Sequence, residues 1–171
     1  TVCSQTGWGG YFRWGLSPDS LTTCYTNADP AVREISEKYE KYFYPAIFAN
    51  FTARMDWAAY GKGNRNPIVI VNGEKGLSPI IIEPETEKEL QLNASESADP
   101  DKDELTFHWW ILPEAGTYTS TVSIRDADKA NAILRIPRDA AGKELHIICE
   151  VTDNGTPALT GYRRVIIRPK R

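Results

Sequence analysis

The stretch LNASESADPDKDELTFHWWI, residues 92–111, decides the fold of this chain. It begins as an apolar segment, breaks at a loop that carries Asp99, Asp101 and Asp103, and continues as a second segment. Apolar and outward-facing side chains alternate in that second segment, one set being Leu105, Phe107, Trp109 and Ile111 and the other Thr106, His108 and Trp110. A period of two over this length predicts a strand of an antiparallel sheet with one buried face.

Similar alternating segments follow one another from Pro67 onward, separated by turn-forming residues such as Asn-Gly at 72–73 and Asn-Gly-Thr-Pro at 154–157. The predicted strands are 67–71, 79–83, 88–94, 104–111, 117–124, 131–136, 144–152 and 160–168. Seven or eight short strands at this rhythm predict a mainly β fold, an immunoglobulin-like antiparallel β-sandwich. Its predicted core consists of Leu90, Leu92, Phe107, Trp109, Ile147, Cys149, Val151 and Val165.

The segment before the sandwich has a helical pattern over residues 30–60. Asp29 is a suitable N-cap and Pro30 suits the first helical position. Five large apolar residues recur at a spacing of four, namely Tyr39, Phe43, Ile47, Phe51 and Met55. We expect one helix that buries this stripe, or two short helices divided at Pro45.

Residues 1–29 are rich in aromatic side chains, including Trp8, Tyr11 and Trp14, but have neither a helical nor a strand period. Two interpretations remain open at this point. The aromatic rings form a surface on which sugar rings stack, with Trp8 and Trp14 as carbohydrate-binding residues. Alternatively, the segment is an apolar stretch that packs against another part of the protein.

Charge and cysteine content narrow the classes of function. The net charge is −3 and there is no basic block, so nucleic acid is not an expected partner. No apolar run approaches the about 18 residues of a membrane-spanning helix. Cys149 lies in an alternating run and is predicted to face the core. Cys3 and Cys24 lie in a loop-like region, and export of the protein would allow them to pair as a disulfide.

The acidic loop itself has two interpretations. Carboxylates at Asp99, Asp101 and Asp103 repel one another unless a positive charge lies among them, and a hard cation with several oxygen ligands would supply that charge. Alternatively, the loop is a solvated Asp-Pro-Asp turn that requires no ion.

Several motifs in order resemble the C-terminal part of a bacterial cellulose-binding protein family, from about residue 51 to residue 167. They are ARMDWAAYGKGNRNPIVIVNG, SADPDKDELTFHWW, EAGTY and HIICEVTDNGTPALTGYRRVII. Proteins of this family carry a nucleoside-hydrolase-like N-terminal domain followed by an immunoglobulin- or cadherin-like sandwich, and WGGYFRWG resembles the closing segment of the hydrolase-like domain. The resemblance therefore implies two regions: residues 1–66, the end of a hydrolase-like domain, and residues 67–171, the sandwich.

The sandwich also resembles PKD and cadherin-like modules, some of which bind calcium. The positions that match the ligands of those modules are Asp99, Asp101 and Asp153, with Asp103 as a further candidate. The resemblance thus implies calcium as the cofactor. Lys102 departs from the pattern, which has Gly at this position, and it brings a positive charge into the loop.

No catalytic residues are expected in this chain. His108 and His146 lie in separate predicted strands on the outward face, and neither belongs to a recognisable metal or nucleophile motif. The resemblance implies a secreted, periplasmic or cell-surface bacterial protein; the chain begins with Thr, and export is not inferred from a targeting segment.

Two functions remain open on this basis. In the first, the chain is a non-catalytic, carbohydrate-associated module that contacts a polysaccharide through Trp110 and Tyr118, with Trp8 and Trp14 as further candidates. In the second, Trp110 is covered by the N-terminal helix. The sandwich is then a calcium-stiffened structural domain that supports a nucleoside-hydrolase-like domain of the same protein.

Overall fold

The computed structural model describes residues 5–7 and 10–170. The chain divides into two compact units, Thr1–Phe51 and Thr52–Arg171. The division falls inside a helix, not between residues 66 and 67, where the sequence pattern changes from helical to alternating. Cys3 and Trp8 lie outside the described residues, so the Cys3–Cys24 disulfide and the role of Trp8 remain predictions.

The N-terminal unit contains a small sheet that the sequence pattern did not indicate. Strands β1 (Gln5–Gly7), β2 (Gly10–Leu16) and β3 (Thr23–Thr26) form an antiparallel sheet in the order β1-β2-β3. Gly10 and Tyr11 are buried in succession, so β2 has no alternation of buried and exposed residues to detect. The backbone of Gly10 has φ +94°, and an added Cβ would lie 2.3 Å from Ser36 Oγ, so only glycine fits this close approach.

Helix α1 runs without interruption over Pro30–Tyr60, with Pro45 inside it. Its start is as predicted, because Asp29 Oδ1 accepts a hydrogen bond from the Ala31 backbone N–H at 2.9 Å. The predicted apolar stripe is only partly buried: Tyr39 and Phe43 are buried, whereas Phe51 and Met55 are exposed. A strict spacing of four advances about 40° per step around a helix of 3.6 residues per turn, so the stripe winds out of the buried face.

The C-terminal unit is the predicted β-sandwich. One sheet has the order β4-β10-β9-β6 and the other the order β5-β8-β7. The strands are β4 (Ile80–Ile82), β5 (Glu89–Asn93), β6 (Leu105–Ile111), β7 (Ile124–Arg125), β8 (Asn131–Arg135), β9 (Leu145–Asp153) and β10 (Thr160–Ile167). Short 3₁₀ helices lie at Pro113–Ala115 and Arg138–Ala140.

The core lies where the alternation placed it. Six of the eight predicted core residues are buried: Leu92, Trp109, Ile147, Cys149, Val151 and Val165. Leu90 and Phe107 are partly buried and pack against this cluster. Burial raises the pKa of the Cys149 thiol to about 12, in agreement with its predicted position as a small apolar residue.

Two predicted strands are largely absent. Residues 67–71 make only isolated bridges, and the Ile70 N–H bonds the Ser97 hydroxyl at 3.1 Å where a strand would pair with backbone. Of residues 117–124, only the last joins a strand, β7. The N–H groups of Thr117 and Tyr118 both bond one carbonyl, that of Glu144, so the segment is held at its start and makes no ladder.

Among the described residues, no helix combines the length and the apolar character that a membrane span requires.

Candidate functional site

Three of the four predicted metal ligands come together at one end of the sandwich. One carboxylate oxygen from each of Asp99, Asp103 and Asp153 lies within 4.8 Å of the other two. We call these three residues the acidic cluster. Asp99 and Asp103 belong to the loop between β5 and β6, and Asp153 ends β9. The antiparallel register of β6 and β9, in which Leu105 pairs with Asp153, places the loop beside Asp153.

In the carboxylates of Asp99 and Asp153, one oxygen accepts hydrogen bonds from the backbone and the other has no hydrogen-bond partner among the described residues. Asp99 Oδ1 accepts hydrogen bonds from the N–H groups of Asp101 at 2.7 Å and Asp103 at 3.2 Å. Asp153 Oδ1 accepts from the N–H groups of Gly155 at 3.0 Å and Leu159 at 2.9 Å. The Oδ2 atoms of Asp99 and Asp153 are buried and have no hydrogen-bond partner among the described residues.

The charges of the acidic cluster oppose one another. Burial, followed by the negative charges of Asp99 and Asp153, raises the pKa of Asp103 above its ordinary value. A buried carboxylate oxygen without a partner is costly, and several together are more so. The arrangement offers only oxygen ligands of full negative charge, which is the donor set that a hard divalent cation prefers.

The fourth predicted ligand, Asp101, is not part of the acidic cluster. Its side chain is exposed, and its Oδ2 accepts a hydrogen bond from the Arg65 N–H at 2.9 Å. Lys102 is also exposed, and its backbone has φ +70°. This left-handed conformation is a physical reason for a glycine at this position in the modules that the loop resembles.

Trp110 lies on the outer face of the four-stranded sheet and is half-buried. Its indole Nε1–H donates to Glu150 Oε1 at 2.9 Å. His108, which is exposed, and Tyr162 are the cross-strand neighbours of Glu150 on β6 and β10. Trp110 is therefore held in place on a face that also carries a carboxylate, an imidazole and a phenol.

The structure does not place Tyr118 on that face. Tyr118 is 6% exposed, its hydroxyl donates to Asp139 Oδ1 at 2.8 Å, and its ring belongs to the core. Because a buried ring cannot stack on a sugar, Tyr118 leaves the set of candidate binding residues. Trp14, in the N-terminal unit, is 58% exposed and meets Tyr25 edge to face with ring centroids 5.2 Å apart.

His146 is not the surface residue that its outward position in β9 suggested. It is 5% exposed. The segment after β6 lies beside it: the Leu112 N–H bonds its carbonyl, and a Cβ added at Gly116 would lie 3.6 Å from His146 Cδ2. Arg164 Nε donates to His146 Nδ1 at 2.9 Å. Burial, followed by the positive charge of Arg164, lowers the pKa of His146, so its ring is held neutral.

Comparison with known proteins confirms the resemblance inferred from the motifs. Residues 89–169 match a family model described as "Cellulose-binding protein Sde0182, C-terminal domain". The matched segment runs from β5 to beyond β10 and includes the whole acidic cluster. A search of curated proteins found no match.

Among solved structures, the chain is similar to a nucleoside hydrolase-related hypothetical protein from Saccharophagus degradans that is associated with carbohydrate metabolism. The two share 33% identity with a TM-score of 0.85, over 98% of this chain and 43% of the other. This chain thus spans less than half the length of that relative. A PKD domain from the KIAA 1837 protein also matches, with 16% identity, a TM-score of 0.35, and coverage of 57% of this chain and 94% of that domain.

Two residues around the acidic cluster were not indicated by the sequence. The Asn64 side-chain amide donates to Asp153 Oδ1 at 3.0 Å and to the Pro157 carbonyl at 2.9 Å. An added Cβ on Gly155 would lie 2.2 Å from Asn64 Nδ2 and 2.6 Å from Asp103 Oδ2, so glycine keeps this space open. Asn64 belongs to GKGNRN, which has the composition of a linker, and nothing in that composition points to a contact with Asp153.

Proposed function

We propose that this chain is a non-catalytic part of a secreted, carbohydrate-associated bacterial protein, and that its sandwich is a structural domain stiffened by calcium at the acidic cluster. The observation that carries the proposal is the pair of buried Oδ2 atoms on Asp99 and Asp153, which have no partner among the described residues and lie beside Asp103. A bound cation would give both oxygens a partner and remove the repulsion that raises the pKa of Asp103.

Calcium fits this donor set better than the softer transition metals. The acidic cluster offers carboxylate oxygens, and it contains neither a thiolate nor an imidazole. Asp99, Asp103 and Asp153 would hold the ion, and Asp101 would add negative charge nearby. Bound there, calcium would supply charge neutralisation and would link the β5–β6 loop to the end of β9.

Thermal unfolding with and without calcium tests this proposal. We expect calcium at about 100 times its dissociation constant to add about 2.7 kcal/mol to the free energy of unfolding, and a chelator to remove this gain. Asp153→Asn, which keeps Oδ1 as an acceptor but removes the charge, should abolish the calcium effect. Asp126→Asn is the matched control, since Asp126 is an acidic residue that pairs with Lys129 and is not a member of the acidic cluster. Equal melting temperatures in calcium and in chelator would overturn the proposal.

The family match also supports a second candidate function, direct contact with a polysaccharide. The observation that favours it is the position of Trp110, half-exposed on the outer sheet face and fixed by its bond to Glu150. A fixed indole next to polar side chains can stack on a sugar ring and hydrogen-bond its hydroxyl groups.

Retention on insoluble cellulose and on other polysaccharides tests this second function. Trp110→Ala should reduce retention if the outer sheet face binds, and Trp14→Ala should do so if the small N-terminal sheet binds. Tyr60→Ala is the control, because Tyr60 is 71% exposed and belongs to neither surface. Retention that is unchanged in both tryptophan variants would exclude both surfaces.

We also propose that a nucleoside-hydrolase-like domain belongs to the same protein. The support is the nucleoside hydrolase-related relative, more than half of which lies outside the match.

Export is supported by the match to the cellulose-binding family, since cellulose is an extracellular polymer. Detection of the protein outside the cytoplasm of its source cells, by fractionation and immunoblotting, would test the export part.

A further inference from the structure

Helix α1 exposes a row of large apolar side chains along one side. Tyr44, Phe48, Phe51 and Met55 are 64%, 58%, 56% and 48% exposed. Their spacing of four, three and four residues places them on one face of an α-helix, over about three turns. We call these four residues the aromatic face.

The aromatic face is distinct from the buried face of the same helix. Val32, Tyr39 and Phe43, also spaced by helical steps, are 3%, 2% and 6% exposed. Within the aromatic face, the rings of Tyr44 and Phe48 are nearly parallel, with an interplanar angle of 19° and centroids 6.3 Å apart. Single exposed apolar residues are ordinary in soluble proteins, whereas a contiguous row over three turns is typical of a surface that another protein covers.

We propose that the aromatic face packs against the part of the hydrolase-like domain that lies outside this chain in the same polypeptide, an inference that rests on the longer protein proposed above. The length of the solved relative supports this occupant. That relative matches 98% of this chain, including α1, with a TM-score of 0.85, and more than half of its own length lies outside the match. A domain of that size within the same chain would be present at high effective concentration.

The chemistry of the aromatic face suits a protein partner. Two phenylalanines and a methionine offer apolar area without hydrogen-bonding groups, and aromatic residues and methionine are enriched at the buried centres of protein interfaces. A sugar, in contrast, requires hydrogen-bonding side chains beside the rings. Burial against a complementary apolar surface stabilises such side chains by removing them from water.

The oxidation rate of Met55 tests the docking directly, because Met55 is the single methionine of the sequence. The chain described here and the longer natural polypeptide are treated with hydrogen peroxide, and Met55 sulfoxide is followed by peptide mass spectrometry. We expect oxidation at least 10-fold slower in the longer polypeptide. Hydroxyl-radical labelling of Tyr44, Phe48 and Phe51 should fall in parallel.

Tyr60 is the internal control for labelling. It is 71% exposed, and it lies about 160° around the helix from Tyr44, so it should stay equally reactive in both polypeptides. In the longer polypeptide, the double variant Phe48→Lys, Phe51→Lys should restore fast oxidation of Met55. The matched variant Tyr60→Lys should leave it slow.

The outcomes separate this inference from the proposed function. Equal oxidation rates in both polypeptides overturn the docking, and the calcium effect on thermal unfolding is then judged on its own. If Met55 is already oxidised slowly in the isolated chain, and sedimentation velocity shows that this chain is a dimer, a second copy is the occupant and the docking is overturned. A natural gene that encodes no hydrolase-like domain overturns both the longer protein and the docking, and leaves the calcium proposal standing.

Discussion

Asp103 is the residue at which the electrostatics of the acidic cluster can be measured. Burial and the charges of Asp99 and Asp153 raise its pKa in the folded protein. A carboxyl group with a higher pKa in the folded than in the unfolded state lowers stability when it is ionised in both. This cost disappears as the pH falls through the pKa of the folded state, because the folded state binds the proton more tightly than the unfolded state does.

A pH prediction follows for the calcium-free protein. As the pH is lowered from neutral through the raised pKa of Asp103, the wild type should gain stability relative to Asp103→Asn. Other carboxyls, such as that of Glu144, have lowered pKa values, so their protonation lowers the stability of both proteins as the pH falls. The quantity to follow is therefore the difference in free energy of unfolding between the wild type and Asp103→Asn. Urea denaturation in chelator at a series of pH values measures it. A stability difference that does not vary with pH would show that the pKa of Asp103 is not raised in the folded protein.

Lys102 allows backbone strain and charge to be separated. Its φ of +70° is unfavourable for a side chain with a Cβ, by about 1 kcal/mol, and glycine removes that strain while costing some chain entropy. In chelator, the free energy of unfolding of Lys102→Gly should therefore lie between that of the wild type and a value about 1 kcal/mol higher. Lys102→Ala keeps the strain, and both variants should bind calcium more tightly because a positive charge is gone. Weaker calcium binding in either variant would contradict the proposed site.

At the scale of elements, β10 depends on a close approach by the segment that enters the sandwich. An added Cβ at Gly161 would lie 2.6 Å from the Pro67 carbonyl oxygen, which is backbone and cannot turn away. Gly161→Ala should therefore lower the free energy of unfolding by about 1–3 kcal/mol, as overpacking does. Gly15→Ala is the control, since the nearest atom there is 3.9 Å away. Chemical denaturation of both variants measures the effect, and equal stability would show that Pro67 moves freely.

The success of the sequence-based predictions also differs between elements. Strand β6 was predictable because one of its faces is buried, which leaves a period of two in the sequence. Strand β9 shows the same alternation in its apolar residues, although His146 and Ile148 on its other face are buried as well. Residues 117–124 alternate in the same way, but Thr117 and Tyr118 bond a single carbonyl and only Ile124 joins a strand, so the pattern alone does not indicate a ladder. The prediction that α1 buries its apolar stripe was wrong for the C-terminal half of the helix, because residues spaced by four do not stay on one face.

The acidic cluster was predictable in its loop residues and not in its surroundings. Asp99 and Asp103 were named from the charge of their loop and Asp153 from a resemblance, and the register of β6 with β9 brings the three together. The bond from Asn64 to Asp153 joins residues far apart in the chain, and no periodicity records such a contact. The burial of Tyr118 was missed because it lies in a segment wrongly taken as a regular strand.

At the scale of the whole molecule, the chain combines a small N-terminal sheet with its helix and a β-sandwich whose residues 89–169 match the cellulose-binding family. We interpret the sandwich as a structural module. Its cation site would lie at the end where residues Asn64 and Arg65 bond to Asp153 and Asp101. We therefore expect one calcium ion to bind this chain at the acidic cluster.

Isothermal titration calorimetry measures this binding when calcium is titrated into protein that has been stripped of metal with a chelator. We predict one ion per chain with a dissociation constant of about 10⁻⁴–10⁻³ M, the range of extracellular modules. Binding should weaken at least 10-fold in Asp153→Asn and be unchanged in Asp126→Asn. The absence of binding in the folded wild type, or equal binding in Asp153→Asn, would show that the acidic cluster is not a calcium site.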